Sequence, residues 1–244
     1  MKAKKFFKIK KKVLVSISGG VDSVTLLYLC KKRFKEVEAV TFNYGSRQNE
    51  IEYKYAEYHC AQLGISLTRI NLESLFKTCD QCILLNKTTE VPQGEYKNTD
   101  CSNLIVPFRN GIFLSVCASI AESKNCDYIA LASHKSDWAC YPDCRPEFTK
   151  AIKKAIKSGT VKNIKVYTPF VTGKNRFTGE KGYSKTEIVR LGLEYLNMTK
   201  NDYLLTYSCY KGNEEHCGEC PTCKERIEAF KANGIEEIGK KSTM

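Results

Sequence analysis

The stretch Ser18-Gly19-Gly20-Val21-Asp22-Ser23 constrains this chain more than any other. It follows Val13 to Ile17, a short apolar and β-branched run that reads as a buried strand. It precedes Val24 to Lys32, which reads as a helix with Leu26, Leu27 and Leu29 placed to pack on a sheet. Paired glycines let the backbone curl so that its N–H groups face an anion. The helix that follows adds its positive end. Ser18 and Ser23 offer hydroxyl donors to phosphate oxygens, whereas the acidic Asp22 suits a loop N–H or a magnesium ion. The Gly-Lys-Ser/Thr ending of a Walker loop is absent, and the spacing is not a dinucleotide fingerprint. The expectation is an ATP site running from Ile17 through Ser18, Gly19, Gly20, Val21, Asp22, Ser23, Val24, Thr25 and Leu26 to Leu27, used to activate a substrate.

Further along, strands and helices alternate. Val37 to Phe42 and Ile65 to Ile70 read as strands, with a helix from Gln48 to Leu63 between them that stops at Gly64. After a polar break from Asn71 to Ile105, helices are expected over Asn110 to Ser123 and Pro146 to Lys157. Asp127 to Ala132 and Lys165 to Thr168 are expected as strands. Such alternation predicts an α/β fold: a parallel sheet with helices on both faces. The break at 71–105 suits either a surface excursion or a cover over the substrate. Gly173 to Tyr183 reads as a mobile loop. Ser184 with Glu187 three residues on reads as a capping box for another helix. Residues 1–12 are expected as a basic tail, 13–207 as the ATP-binding domain, and 208–244 as a small cysteine-bearing and helical segment.

The formal charge of +12 suits a solvated basic surface or an attraction for polyanions. No basic stripe with interleaved aromatics suggests single-stranded nucleic acid. Apolar runs fall short of the ~18 residues a membrane span needs, and the lysine-rich start lacks a secretory core. A cytoplasmic protein without a membrane or direct nucleic acid partner is expected. Thirteen cysteines in 244 residues are then read as reduced thiols and a metal site.

That site is expected at Cys209, Cys217, Cys220 and Cys223. Two overlapping Cys-x-x-Cys units and a cysteine eight residues upstream can close a tetrahedral four-sulfur shell. Zinc suits such a shell, one ion per chain in a structural role, with an iron–sulfur cluster as the competitor. His216 adjoins Cys217 and is the alternative to Cys209. Cys79 and Cys82 form a lone pair without a partner motif, and Cys30, Cys60, Cys117 and Cys126 read as core. Cys140 and Cys144 are taken as structural.

The phosphate loop resembles that of the ATP pyrophosphatase (PP-loop) superfamily. Thr41-Phe-Asn-Tyr-Gly45, Val106-Pro-Phe-Arg-Asn110, Tyr141-Pro-Asp-Cys-Arg-Pro-Glu-Phe148, Lys185-Thr-Glu-Ile-Val-Arg-Leu-Gly192 and Thr206-Tyr-Ser-Cys-Tyr210 narrow it. In this order, over about Val13 to Ile235, they look like the 7-cyano-7-deazaguanine synthase family.

The resemblance implies an adenine nucleotide alpha-hydrolase-like fold and a homodimer. It implies that Mg-ATP activates 7-carboxy-7-deazaguanine as an acyl adenylate, that ammonia gives the amide, and that a second activation gives the nitrile. It places Asp22, Ser23, Arg109 and Lys185 in catalysis. Arg109, Asn110, Asp143, Arg145 and Glu147 are placed on the substrate, with a carboxylate accepting from the guanine-like N–H and amino pair. There are departures. The family's Gly-Gln-Arg-His reads Gly45-Ser46-Arg47-Gln48, its Pro-Gly-Arg-Asn reads Pro107-Phe108-Arg109-Asn110, and its Ser-Gly-Tyr-Pro reads Ala139-Cys140-Tyr141-Pro142. Phe108 is expected to tighten the pocket. The alternatives are a relative that stops at the amide and another PP-loop enzyme acting on tRNA.

Overall fold

The computed structural model describes residues 8–79, 81–86, 88–96 and 100–236. Five parallel strands form one sheet in the order β3-β2-β1-β4-β5. They are β1 (Ile9–Ser16), β2 (Phe34–Asn43), β3 (Leu67–Asn71), β4 (Tyr128–Ala130) and β5 (Lys165–Tyr167). The helices are α1 (Val21–Arg33), α2 (Asn49–Gln62), α3 (Glu73–Phe76), α4 (Arg109–Ser123), α5 (Pro146–Gly159), α6 (Pro169–Thr172), α7 (Lys185–Tyr195), α8 (Lys200–Leu204) and α9 (Pro221–Ala232).

Alternating side chains divide the core into two layers, as strand geometry demands. Val13 and Val15 of β1, Ala39 of β2 and Ala130 of β4 face the layer that holds α1, α2, α7 and α9. Leu14, Val40 and Ile129 face the opposite layer with α4 and α5. The chain runs outward from β1 to β3, then crosses back to β4 on the other side of β1. That reversal opens a crevice beyond the carboxyl ends of β1 and β4, where open α/β sheets bind ligands.

Several boundaries differ from the sequence reading. β1 begins at Ile9, so the basic tail expected over 1–12 already contains strand from residue 9, and residues 1–7 lie outside the described residues. α1 begins at Val21, directly on the glycines. One stretch, Ser102–Ser123, has a mean hydropathy of 1.6, which by length and composition passes as a membrane span. Its physical reason is packing: Phe113, Leu114, Cys117 and Ala121 of α4 are buried in the second layer. Gly173 to Tyr183, expected as mobile, closes on itself. Gly182 N–H donates to Gly173 O at 3.0 Å, Asn175 N–H donates to Glu180 O at 2.7 Å, and the Asn175 amide is buried inside the turn. The Ser184–Glu187 capping box is present at α7.

The segment expected over 208–244 packs on the sheet domain. Ala229, Phe230 and Ile235 join the same core as β1 and α1, while residues 237–244 lie outside the described residues. Against the expectation of reduced thiols, Cys101 and Cys140 form a disulfide, with Cα atoms 5.6 Å apart. Cys30, Cys60, Cys117 and Cys126 are buried core thiols.

Candidate active site

The phosphate loop is built to receive an anion. Ser23 Oγ donates to Gly20 O at 3.1 Å and accepts the Ser18 N–H at 3.1 Å, and the two serine hydroxyls lie 3.0 Å apart. No side chain caps α1, so the N–H groups of its first turn remain for a ligand. Gly19 has φ +89°, and a Cβ there would stand 2.2 Å from the Glu52 carbonyl oxygen of α2. Gly19 O in turn accepts the Tyr207 N–H at 3.0 Å. Glycine is required by both the left-handed backbone and the close approach of α2.

Of the expected ATP stretch, Ile17, Ser18, Gly20, Val21, Asp22 and Ser23 line the cleft. Val24, Leu26 and Leu27 do not. They are fully buried in the core, and Thr25 is spent on Val21 O and the Tyr203 hydroxyl. The helix turns its apolar face to the sheet, so only its first turn can meet a nucleotide.

Behind the loop lies a buried cluster of charge. Lys185 Nζ is 3.4 Å from Asp22 Oδ2 and 2.6 Å from Glu225 Oε2. His134 Nε2 is 3.3 Å from Asp22 Oδ2 and 3.6 Å from Asp137 Oδ2. Burial opposes ionisation of Asp22, but Lys185 and His134 outweigh it and hold the carboxyl down at about 2. Burial likewise opposes the His134 cation, yet Asp137 and Asp22 lift it to about 9. Lys185 is raised well above the ordinary lysine range for the same reason, by Asp22 and Glu225. Asp22 Oδ1 remains buried and without a partner.

Lys185 was legible from its motif. His134, Asp137 and Glu225 were not, because each stands alone in the sequence. His134 and Asp137 follow the end of β4, and β4 pairs with β1, so topology alone delivers them to the loop.

The substrate candidates divide. Arg109 and Asn110 line the cleft at the start of α4. Arg109 lies over the Tyr44 ring at 5.7 Å and the Phe113 ring at 6.0 Å. Asp143, Arg145 and Glu147 do not line it. Asp143 Oδ2 accepts the Asn110 N–H at 2.8 Å and so caps α4 from outside. Arg145 Nε donates to Trp138 O at 2.9 Å, and both Arg145 and Glu147 are exposed. Phe108 also misses the pocket: it is 58% exposed and packs edge-on against Phe148. Its φ of +51° is a left-handed conformation that favours glycine, the residue of the family pattern.

The described part of the excursion at 71–105 borders the cleft. Tyr96 enters the cleft, and its hydroxyl lies 2.6 Å from that of Tyr210, which is 3.0 Å from that of Tyr141. Arg47 ties the excursion down by donating to the Asn86 and Thr89 carbonyls. Gln48 and Glu52 at the start of α2 also line the cleft; Gln48 stands where the family pattern has histidine, and Glu52 was not singled out from the sequence.

Cys209, Cys217, Cys220 and Cys223 converge, their sulfur atoms all within 4.8 Å of one another. Tetrahedral sulfur around one ion at ~2.3 Å requires such proximity, so the group can hold a metal. Cys217 N–H donates to Cys209 Sγ at 3.4 Å, and Cys220 N–H to Cys217 Sγ at 3.4 Å, which favours thiolates. His216 Nε2 instead accepts the Ser208 N–H at 3.1 Å, and it is Cys209 that converges with the other three cysteines. Val91 of the excursion and Tyr207 pack on this knot, which couples it to the cleft.

Comparison with known proteins agrees with this geometry. Residues 12–234 match the model of a family described as queuosine biosynthesis protein QueC. The 7-cyano-7-deazaguanine synthase of Porphyromonas gingivalis is 37% identical over 228 residues, covering 93% of this chain and 96% of that protein. That of Aquifex aeolicus is 38% identical over 225 residues, covering 90% and 96%. Among solved structures, the U34-tRNA thiolase NcsA from Methanococcus maripaludis, with its 4Fe–4S cluster, aligns with a TM-score of 0.50 at 17% identity. That alignment covers 91% of this chain and 65% of the thiolase, and it speaks to the fold alone.

Proposed function

The chain belongs to the QueC family, and we propose that it converts 7-carboxy-7-deazaguanine and ammonia to 7-cyano-7-deazaguanine at the expense of ATP. It is thus an ATP-dependent carbon–nitrogen ligase of queuosine biosynthesis. The observation that carries the reaction is the phosphate loop with Lys185 and Asp22 at its head, opposite Arg109 in one cleft.

The chemistry runs in two activations. A carboxylate oxygen attacks the α-phosphorus of ATP, pyrophosphate leaves, and an acyl adenylate forms. Ammonia adds to the acyl carbon, AMP leaves with the oxygen, and the amide remains. The amide oxygen then attacks a second ATP, pyrophosphate leaves again, and loss of AMP and of the nitrogen-bound protons gives the nitrile. Both steps build negative charge on departing pyrophosphate. The Ser18 and Ser23 hydroxyls and the α1 amides stabilise that charge from fixed positions. Lys185 supplies a buried cation beside them, and Arg109 steadies a phosphate or the substrate carboxylate.

Magnesium would accompany ATP, and the unpartnered Asp22 Oδ1 supports Asp22 as the residue that would hold it. Zinc fits the four cysteines as a structural ion, with every position filled by sulfur. On this reading the enzyme is a cytoplasmic homodimer whose partners are small molecules, without a membrane or nucleic acid. Asp143, Arg145 and Glu147 act by shaping the start of α4 and α5 from outside the cleft.

The test is product mass after incubation with the carboxy-deazaguanine, ammonium and Mg-ATP. The nitrile is expected. Accumulation of the amide would make the protein a relative that stops halfway, and absence of both products from folded, metal-loaded protein would refute the assignment.

A further inference from the structure

The cleft contains a polar pair that neither the phosphate loop nor the Lys185 cluster uses. Gln48 and Glu52 stand one helical turn apart where α2 begins, linked by the Glu52 N–H to Gln48 C=O bond of 2.9 Å. That spacing puts both side chains on one face, and both line the cleft. Gln48 is 3% exposed, and its Oε1 is buried without a partner. The Glu52 carboxyl forms no ion pair or side-chain hydrogen bond among the described residues. Burial pushes it up to about 8, against the pull of Arg109. The other cleft carboxylates already face cations: Asp22 meets His134 and Lys185 through Oδ2, and Asp137 meets the His134 backbone N–H and ring.

The buried Gln48 Oε1 lacks a donor and carries a deficit of ~1–3 kcal/mol until a ligand supplies the hydrogen bond, and the half-buried Glu52 carboxylate faces the same cleft with its oxygens open to a donor. Phosphate oxygens cannot do so, since they are acceptors themselves. The pairing edge of adenine offers one donor beside one acceptor. A guanine-type edge offers a ring N–H beside an amino group, two adjacent donors, which is what a carboxylate and an amide oxygen together accept. We propose that Gln48 and Glu52 read the ring N–H and 2-amino group of the deazaguanine substrate, making them the specificity-determining pair of the cleft. The inference rests on the reaction given above. Donors from the base favour the carboxylate form of Glu52, and Arg109 supplies a nearby counter-charge.

The experiment compares two substrates: the carboxy-deazaguanine and its analogue lacking the 2-amino group. Wild-type protein should prefer the amino-bearing base by ~10²-fold or more in kcat/KM, because the analogue strands a buried acceptor. Glu52→Gln should lower kcat/KM for the amino-bearing base by a similar factor, mostly through KM, and shrink the preference toward ~1. The KM for ATP should stay within about twofold of wild type, and Glu52→Asp should recover part of the preference. Gln48→Leu should give a smaller loss of the same kind, roughly tenfold, and serves if the Glu52 variant does not fold. An undiminished preference in a folded variant overturns the proposal. So does a loss borne by the KM for ATP, which would assign the pair to adenine. If wild type turns over neither base, the reaction assignment fails separately, and calorimetric binding of the two free bases then reads the discrimination without turnover.

Discussion

The Lys185 ammonium lies 3.4 Å from the Asp22 carboxylate at the head of the phosphate loop, with Lys185 buried and Asp22 half-buried at the cleft wall. A charge in such a place is costly unless it is paired, and here each residue holds the other ionised. Lys185→Met is expected to lower kcat/KM by ~10²–10³-fold, since a preorganised cation facing the departing pyrophosphate is lost. Asp22→Ala should do at least as much. Steady-state kinetics on folded variants checks both, and retention of more than a tenth of wild-type activity by Asp22→Ala would remove the loop from the mechanism.

His134 makes stability fall with rising pH. Its folded value of about 9 lies above the ordinary histidine value of 6.5. A raised cationic group stabilises the fold fully below pH 6.5, and that contribution is lost as pH climbs through 9. The shift corresponds to roughly 3 kcal/mol at most. Denaturant titrations without nucleotide should show wild type losing stability between pH 6.5 and 9.5, and His134→Asn losing much less over the same window.

The cysteine knot ties Tyr207, Val91 and the excursion together, so its metal should matter for the cleft at a distance. Elemental analysis should find one zinc per chain. Stripping it with a chelator, or Cys220→Ser, should lower the melting temperature by ~10 °C or more and release the segment around Tyr210. Activity should fall with the fold, as expected for an ion that takes no part in the reaction. Iron in place of zinc would contradict the assignment of the metal.

Gly19 admits no side chain. A methyl group would meet the Glu52 carbonyl at 2.2 Å, on a backbone with φ +89°. Gly19→Ala is expected to cost ~2 kcal/mol or more and to displace the loop from α2. Comparing chemical denaturation and ATP affinity of the variant with wild type measures both effects.

Much of this was legible from the sequence because its signals are local. The glycine loop between strand and helix, the four cysteines and the Ser184–Glu187 cap each declare themselves within a few residues. The short apolar runs of β1, β2 and β4 likewise marked the sheet. What escaped is what only topology assembles. His134 and Asp137 reach Asp22 because β4 lies beside β1, and Glu225 reaches Lys185 because α9 packs on α7. Asp143 looked like a substrate ligand within its motif, but its carboxylate serves the Asn110 amide instead. Conversely, Gln48 showed in the sequence only as a departure from the family pattern and Glu52 as an ordinary helix residue, and it is the folded cleft, with the Gln48 Oε1 left unpartnered, that brings them together.

The central claim is that the loop supports α–β cleavage of ATP twice for each nitrile made. Following the nucleotides by phosphorus NMR while quantifying the nitrile by mass tests it directly. Two AMP and two pyrophosphate per nitrile are predicted. Formation of ADP and orthophosphate, or nitrile without AMP, would contradict it.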